Sequence, residues 1–165
     1  RLVGNLVLNT RAQFGFLGRY NKKLDVTPFE RFSVGGSGLS GFTLYGTQVV
    51  ALRGYPDNSL SPTADGGSTI YNKFTFEMRY PLSLNPSATI YGLAFLEAGN
   101  AWNEIDNFQP FNVRRSAGLG VRIFLPMFGL LGFDYGYGFD LEDVPGFGAQ
   151  SSKWQPHFII GYSVE

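Results

Sequence analysis

Along five stretches of this chain apolar and polar residues alternate with a period of two, which commits it to β-strands with chemically opposite faces. In residues 6–16 the even positions read Leu, Leu, Thr, Ala, Phe, Phe, with Asn9, Arg11, Gln13 and Gly15 between them. In residues 74–80, Phe74, Phe76, Met78 and Tyr80 alternate with Thr75, Glu77 and Arg79. Residues 114–125 set Arg115, Ala117, Leu119, Val121, Ile123 and Leu125 against Ser116, Gly118, Gly120 and Arg122. The contrast is sharpest in residues 131–140: Leu131, Phe133, Tyr135, Tyr137 and Phe139 face away from Gly132, Asp134, Gly136, Gly138 and Asp140. Residues 157–165 place Phe158, Ile160, Tyr162 and Val164 against His157, Ile159, Gly161, Ser163 and Glu165. A sixth strand, residues 89–102, is mixed on both faces and follows from β-propensity alone. No stretch reads as an amphipathic helix.

Two architectures fit strands of this kind. A soluble sandwich or small barrel turns the apolar face inward, whereas a membrane barrel turns it toward lipid around a polar lumen. Loop lengths favour the second. Residues 81–87 and 126–129 are short connectors, and they alternate with long polar segments at 21–68, 103–112 and 141–153. Long loops at one end and tight turns at the other are the rhythm of an outer-membrane barrel. Tyr20, Tyr80, Trp102, Phe124, Phe139 and Trp154 lie near strand ends, where interfacial girdles form. Six strands are too few to close, because the smallest such barrels have eight and an open edge cannot sit in lipid. The chain therefore reads as part of a larger barrel, or as one that pairs its edges with another chain.

Composition removes several other classes. The 165 residues carry no net charge and no basic run, so nucleic acid is not an expected partner. With no Cys there is no disulfide framework, thiolate zinc site or cysteine nucleophile. The 22 glycines follow no triplet period, which excludes collagen, and 16% aromatics argue against a disordered tail. The longest apolar run, residues 123–133, is interrupted by Pro126, Gly129 and Gly132, so no helical span is expected. The opening residues, Arg1-Leu2-Val3-Gly4-Asn5, do not read as a signal peptide, and a piece of a mature protein is expected.

The segment 21–68 exceeds a plain hairpin loop and is not of low complexity. Its stretches Pro-Phe-Glu-Arg-Phe-Ser-Val-Gly-Gly-Ser (28–37) and Leu52-Arg53-Gly54-Tyr55 closely resemble the sixth extracellular loop of BamA-type outer-membrane assembly proteins, whose signature is Val-Arg-Gly-Phe/Tyr. The later stretches 76–81 (Phe-Glu-Met-Arg-Tyr-Pro), 95–102 (Phe-Leu-Glu-Ala-Gly-Asn-Ala-Trp) and 115–121 (Arg-Ser-Ala-Gly-Leu-Gly-Val) follow in family order. Two positions depart from the pattern. Leu52 replaces the usual Val, and residues 161–165 do not end on the aromatic residue that closes the family's sorting signal.

The resemblance implies an all-β antiparallel transmembrane barrel, of which this chain supplies the last six of sixteen strands. One C-terminal barrel portion, residues 1–165, is expected, without the periplasmic domains and first strands that family members carry. The resemblance also implies that the loop folds into the lumen and that Arg53 meets Glu77 and Glu97, where the family more often has Asp. The implied function is insertion and folding of nascent β-barrel proteins at the outer membrane of a Gram-negative-type envelope. It is not enzymatic and uses no cofactor or metal. The implied partners are the nascent barrels, the bilayer and accessory assembly lipoproteins. The alternatives are a two-partner-secretion transporter, which shares the Arg-Gly-Tyr loop and exports one dedicated substrate, and a soluble β-barrel binding module.

Residue chemistry bears on these assignments independently. Glu77 has lumen parity, opposite Phe76 and Met78, and a carboxylate toward lipid would be heavily penalised. A guanidinium carries five fixed donors, enough for two carboxylates. Gly54 lets the backbone turn, and Tyr55 can pack on the lumen wall. The simpler readings are also plain. Glu77 and Glu97 lack the aromatic cluster of a glycosidase site. His157, the one histidine, is a polar lumen residue rather than a metal ligand. No serine sits in a nucleophile elbow. The glycines of 132–138 open no helix and leave room for the inserted loop. Asp134 and Asp140 read as solvated lumen acids. In a wet lumen, breaking an Arg53 pair is expected to cost nearer 1 kcal/mol than the roughly 3–5 kcal/mol of a buried pair.

Overall fold

The computed structural model describes residues 4–18, 31–38, 47–61, 67–85, 87–144 and 152–161. Among the described residues eight strands form: β1 (Val7–Phe16), β2 (Phe32–Val34), β3 (Gln48–Val50), β4 (Ile70–Asn85), β5 (Ala88–Trp102), β6 (Arg114–Leu125), β7 (Gly129–Gly138) and β8 (Trp154–Gly161). Among the described residues the helical structure is limited to two three-residue 3-10 turns, Ile105–Asn107 and Leu141–Asp143.

Six strands make one antiparallel sheet in the order β1-β4-β5-β6-β7-β8, with sequential neighbours paired. The sheet is open, and β1 and β8 lie at its edges. The other two strands form a small parallel pair within the loop, with Val34 opposite Val50. That pair corrects the reading of 21–68 as strandless; three residues per strand are too few for an alternation to show.

Strand limits also shift. β4 starts at Ile70 rather than at 74, because Ile70, Tyr71, Asn72 and Lys73 are all buried, which hides the alternation there. It continues to Asn85 and consumes most of the expected connector, leaving residues 86–87 between it and β5. Pro81 has no N–H to give a ladder, and the register with β5 shifts between Pro81 and Ser83. β7 ends at Gly138 and β8 starts at Trp154; residues 162–165 lie outside the described residues.

Parity sorts the two faces as the alternation requires. Phe14, Phe76, Met78, Leu96, Leu119, Phe133, Tyr135 and Phe158 are exposed on one face. On β7, Phe133 and Tyr135 are 43% and 45% exposed while Asp134 between them is 0% exposed. Aromatics on the exposed face pair across strands: Tyr135 stacks on Trp154 at 4.8 Å between centroids, and Phe133 meets Phe158 edge-on at 5.1 Å. Of the expected girdle residues, Tyr80, Phe124, Phe139 and Trp154 are exposed. Trp102 instead is buried, with Phe108 edge-on against it, and Tyr20 lies outside the described residues.

The loop covers the opposite face. Phe32, Val34, Val50, Leu52, Tyr55 and Leu60 from the loop form a core with Tyr71 of β4, Ala101 of β5, and Leu141 and Val144 beyond β7. The apolar core therefore lies between loop and sheet. The outer face has no part in it.

Candidate functional site

The loop reaches deepest at Leu52-Arg53-Gly54-Tyr55, and all four are buried. Gly54 holds φ at +89°, a conformation that residues with a Cβ rarely adopt. A Cβ there would also sit 2.9 Å from Cβ of Ser116, so the turn needs glycine for space as well. The floor beneath it is equally bare. A Cβ on Gly136 of β7 would stand 2.7 Å from the Gly54 nitrogen, and one on Gly138 would overlap the Gly54 carbonyl. Gly136 and Gly138, on the polar face of β7, thus make a seat for the loop's backbone.

Arg53 meets three carboxylates from three strands. Its Nη2 lies 2.8 Å from Oε1 of Glu97 on β5 and 2.9 Å from Oε2 of Glu77 on β4. Nη1 donates to Oδ2 of Asp134 on β7 at 3.0 Å. Nε donates to Glu97 Oε1 at 3.1 Å, and the Arg53 backbone N–H donates to Glu97 Oε2 at 2.8 Å. Phe95 lies beneath, with the guanidinium carbon 3.8 Å from the ring centroid. This accounts for the mixed face of β5: Phe95 stands on the polar face, where it packs against a cation.

Each carboxylate has a second cation. Lys73 Nζ is 3.2 Å from Glu97 Oε1, Arg79 Nε bonds Glu77, and both terminal nitrogens of Arg122 engage Asp134, Nη2 at 2.6 Å. Four cations (Arg53, Lys73, Arg79, Arg122) thus face three anions (Glu77, Glu97, Asp134). Burial opposes the charge on Arg53, but Glu97, Asp134 and Glu77 outweigh it and hold the guanidinium value above its ordinary level.

Asp134 is therefore not a solvated acid. It is fully buried and bridges two arginines. Asp140 is also paired: Arg115 Nη2 lies 2.9 Å from its Oδ1, and this hydrogen bond holds the Asp140 carboxyl below the usual carboxylate range. The cluster is drier than a wet lumen would make it. Side-chain exposure of Arg53, Glu77, Glu97 and Asp134 is 7% or less, which moves the cost of breaking a pair toward the buried range of about 3–5 kcal/mol.

Two neutral contacts complete the docking. The Gly54 N–H donates to Nε2 of His157 on β8 at 2.8 Å. The Tyr55 hydroxyl donates to the Arg115 carbonyl at 2.7 Å, and burial pushes that hydroxyl's pKa upward. Among the described residues no three His, Cys, Asp or Glu side chains are grouped to hold a metal ion.

The structure brings together all six residues that the resemblance nominated: Leu52, Arg53, Gly54, Tyr55, Glu77 and Glu97. It adds Lys73, Arg79, Arg122, Asp134 and His157, which sequence reasoning did not connect to the loop. The available signal was parity, since all five stand on the polar face of their strands. In comparisons with known proteins, a family model described as the Omp85 superfamily domain matches residues 3–163. A search of curated proteins found no match.

Proposed function

The chain belongs to the Omp85 superfamily, and from that premise we propose that it is the C-terminal barrel portion of a BamA-type assembly factor, which inserts and folds nascent β-barrel proteins into the outer membrane. The superfamily covers outer-membrane insertases and two-partner transporters. The loop, seated in the polar face by backbone contacts at Gly136 and Gly138 and by ion pairs to three strands, suits both; what favours the assembly factor is the resemblance of stretches 28–37, 76–81, 95–102 and 115–121, in order, to the BamA-type pattern.

The physical basis of the proposal is the outward face. On β4 alone Phe74, Phe76, Met78, Tyr80, Leu82 and Leu84 are exposed in sequence, about the length of a tilted membrane-crossing strand of 9–11 residues. In lipid the edges at β1 and β8 must be paired, by further strands of the same protein or by another chain. An edge strand that is weakly paired can template an incoming strand through main-chain hydrogen bonds, and this step needs no catalytic group. Arg53 and its carboxylates are structural in this scheme; they hold the loop and, through it, the register of β4 to β7. Periplasmic domains and accessory lipoproteins would deliver the substrates.

The test is reconstitution of the full-length protein in liposomes, with folding of a model outer-membrane barrel followed by its heat-modifiable gel mobility. The proposal expects faster folding than in empty liposomes. Unchanged folding, together with export of one dedicated secreted protein, would replace it with the transporter reading.

A further inference from the structure

His157 holds the loop through a bond that a proton would destroy. Its Nε2 accepts the Gly54 N–H at 2.8 Å, so the neutral ring must carry its hydrogen on Nδ1. The contact is buried, with His157 at 5% exposure, and neither partner can turn to water without undocking. Little space is left around Gly54: a Cβ added there would meet Ser116 and the backbone at Tyr137 and Gly138. An imidazolium has donors at both nitrogens, so protonation sets N–H against N–H at this point. The charged groups that face His157 are Asp134, its cross-strand partner on β7, Glu97 on β5, and Arg53 and Asp57 of the loop. Asp134 is already committed to Arg53 and Arg122, which leaves it a poor counter-ion for a new cation.

We infer that His157 is a positioning residue that docks the loop only in its uncharged form, so that mild acid loosens the loop from the sheet. The inference rests on the docked-loop reading above and deepens it: the carboxylates hold Arg53, while the histidine makes docking sensitive to protons. The proton comes from water and adds to Nε2, and the Gly54 N–H loses its acceptor. Glutamine at 157 can offer an amide oxygen that accepts but does not titrate.

The experiment places a nitroxide at Gln48→Cys, an exposed position on β3, in otherwise cysteine-free full-length protein in liposomes. Its mobility is read between about pH 8 and about pH 5.5, a window that spans the ordinary histidine value and stays above those of carboxylates. Wild type should gain a mobile component as the pH falls, and H157Q should lose that pH response. A wild-type spectrum that does not change across the window overturns the inference, as does an H157Q spectrum with the same midpoint. If H157Q is undocked throughout, nitrogen-15 NMR of the histidine decides: hydrogen on Nδ1 at pH 8 supports the latch, and hydrogen on Nε2 overturns it. Arg53→Ala separates the two readings. If it leaves the label as immobile as in wild type, the assignment of docking to Arg53 and its carboxylates fails; if it frees the label while wild type ignores pH, only the histidine latch fails.

Discussion

The two faces of the sheet are built from alternate residues of the same strands, yet they obey different rules. The outer face is held by area: Phe14, Leu96, Leu119, Phe133 and their neighbours are individually replaceable, because any apolar side chain of similar size serves there. The inner face is held by geometry: one guanidinium contacts three named carboxylates, and the Gly54 backbone lies against Gly136 and Gly138. The contrast teaches where substitutions should matter. Redundant burial tolerates exchange within its class, whereas a dry ionic cluster leaves every survivor uncompensated when one member goes.

The largest effect expected is at the hub. Arg53→Ala leaves Glu77, Glu97 and Asp134 buried with one cation fewer, and loop docking should weaken by about 3–5 kcal/mol, measured by protease sensitivity of the loop in the full-length protein. Barrel heat-modifiability should persist, because the strand ladders do not pass through Arg53. Full loop protection in this variant would mean that the inner face is as redundant as the outer.

The next effect tests the outer face by breaking its class. Leu119→Arg, at a position 68% exposed on β6, should destabilise the membrane-embedded protein by about 2–4 kcal/mol, read as a lower unfolding midpoint in urea with lipid present. Phe133→Leu at the neighbouring position should cost less than about 1.5 kcal/mol in the same assay. Equal tolerance of both substitutions would contradict the assignment of this face to lipid.

How far these faces were legible in sequence follows from range and symmetry. β7 alternates aromatic with glycine or aspartate, so its two faces were evident from the residues alone. β5 was not, since its inner face carries Phe95 beneath a cation from another segment. Asp134 was legible as inward but not as a ligand of Arg53, because 81 residues separate them. The resemblance supplied Glu77 and Glu97. His157 escaped because its partner is a backbone amide, which no side-chain motif records.

Two smaller effects sharpen the contrast within the inner face. Gly136→Ala puts a Cβ against the Gly54 backbone and should cost about 1–3 kcal/mol as overpacking, seen as a lower thermal midpoint. Tyr55→Phe removes one hydrogen bond and should cost about 1 kcal/mol at neutral pH. The folded Tyr55 pKa is raised, so this contribution is fully present below the unfolded value of about 10 and is lost as pH rises through the folded one. Wild type should accordingly lose its advantage over Tyr55→Phe as the pH climbs into strong alkali.

The central claim is that Arg53 docks the loop through the sheet's carboxylates rather than merely beside them. A double-mutant cycle of Arg53→Ala and Glu97→Gln, with loop docking read from the Gln48 label at pH 8, tests it most directly. Side chains that share a buried pair should couple by about 0.5–3 kcal/mol, so the double variant should undock little more than Arg53→Ala alone. Strict additivity of the two substitutions would contradict the account.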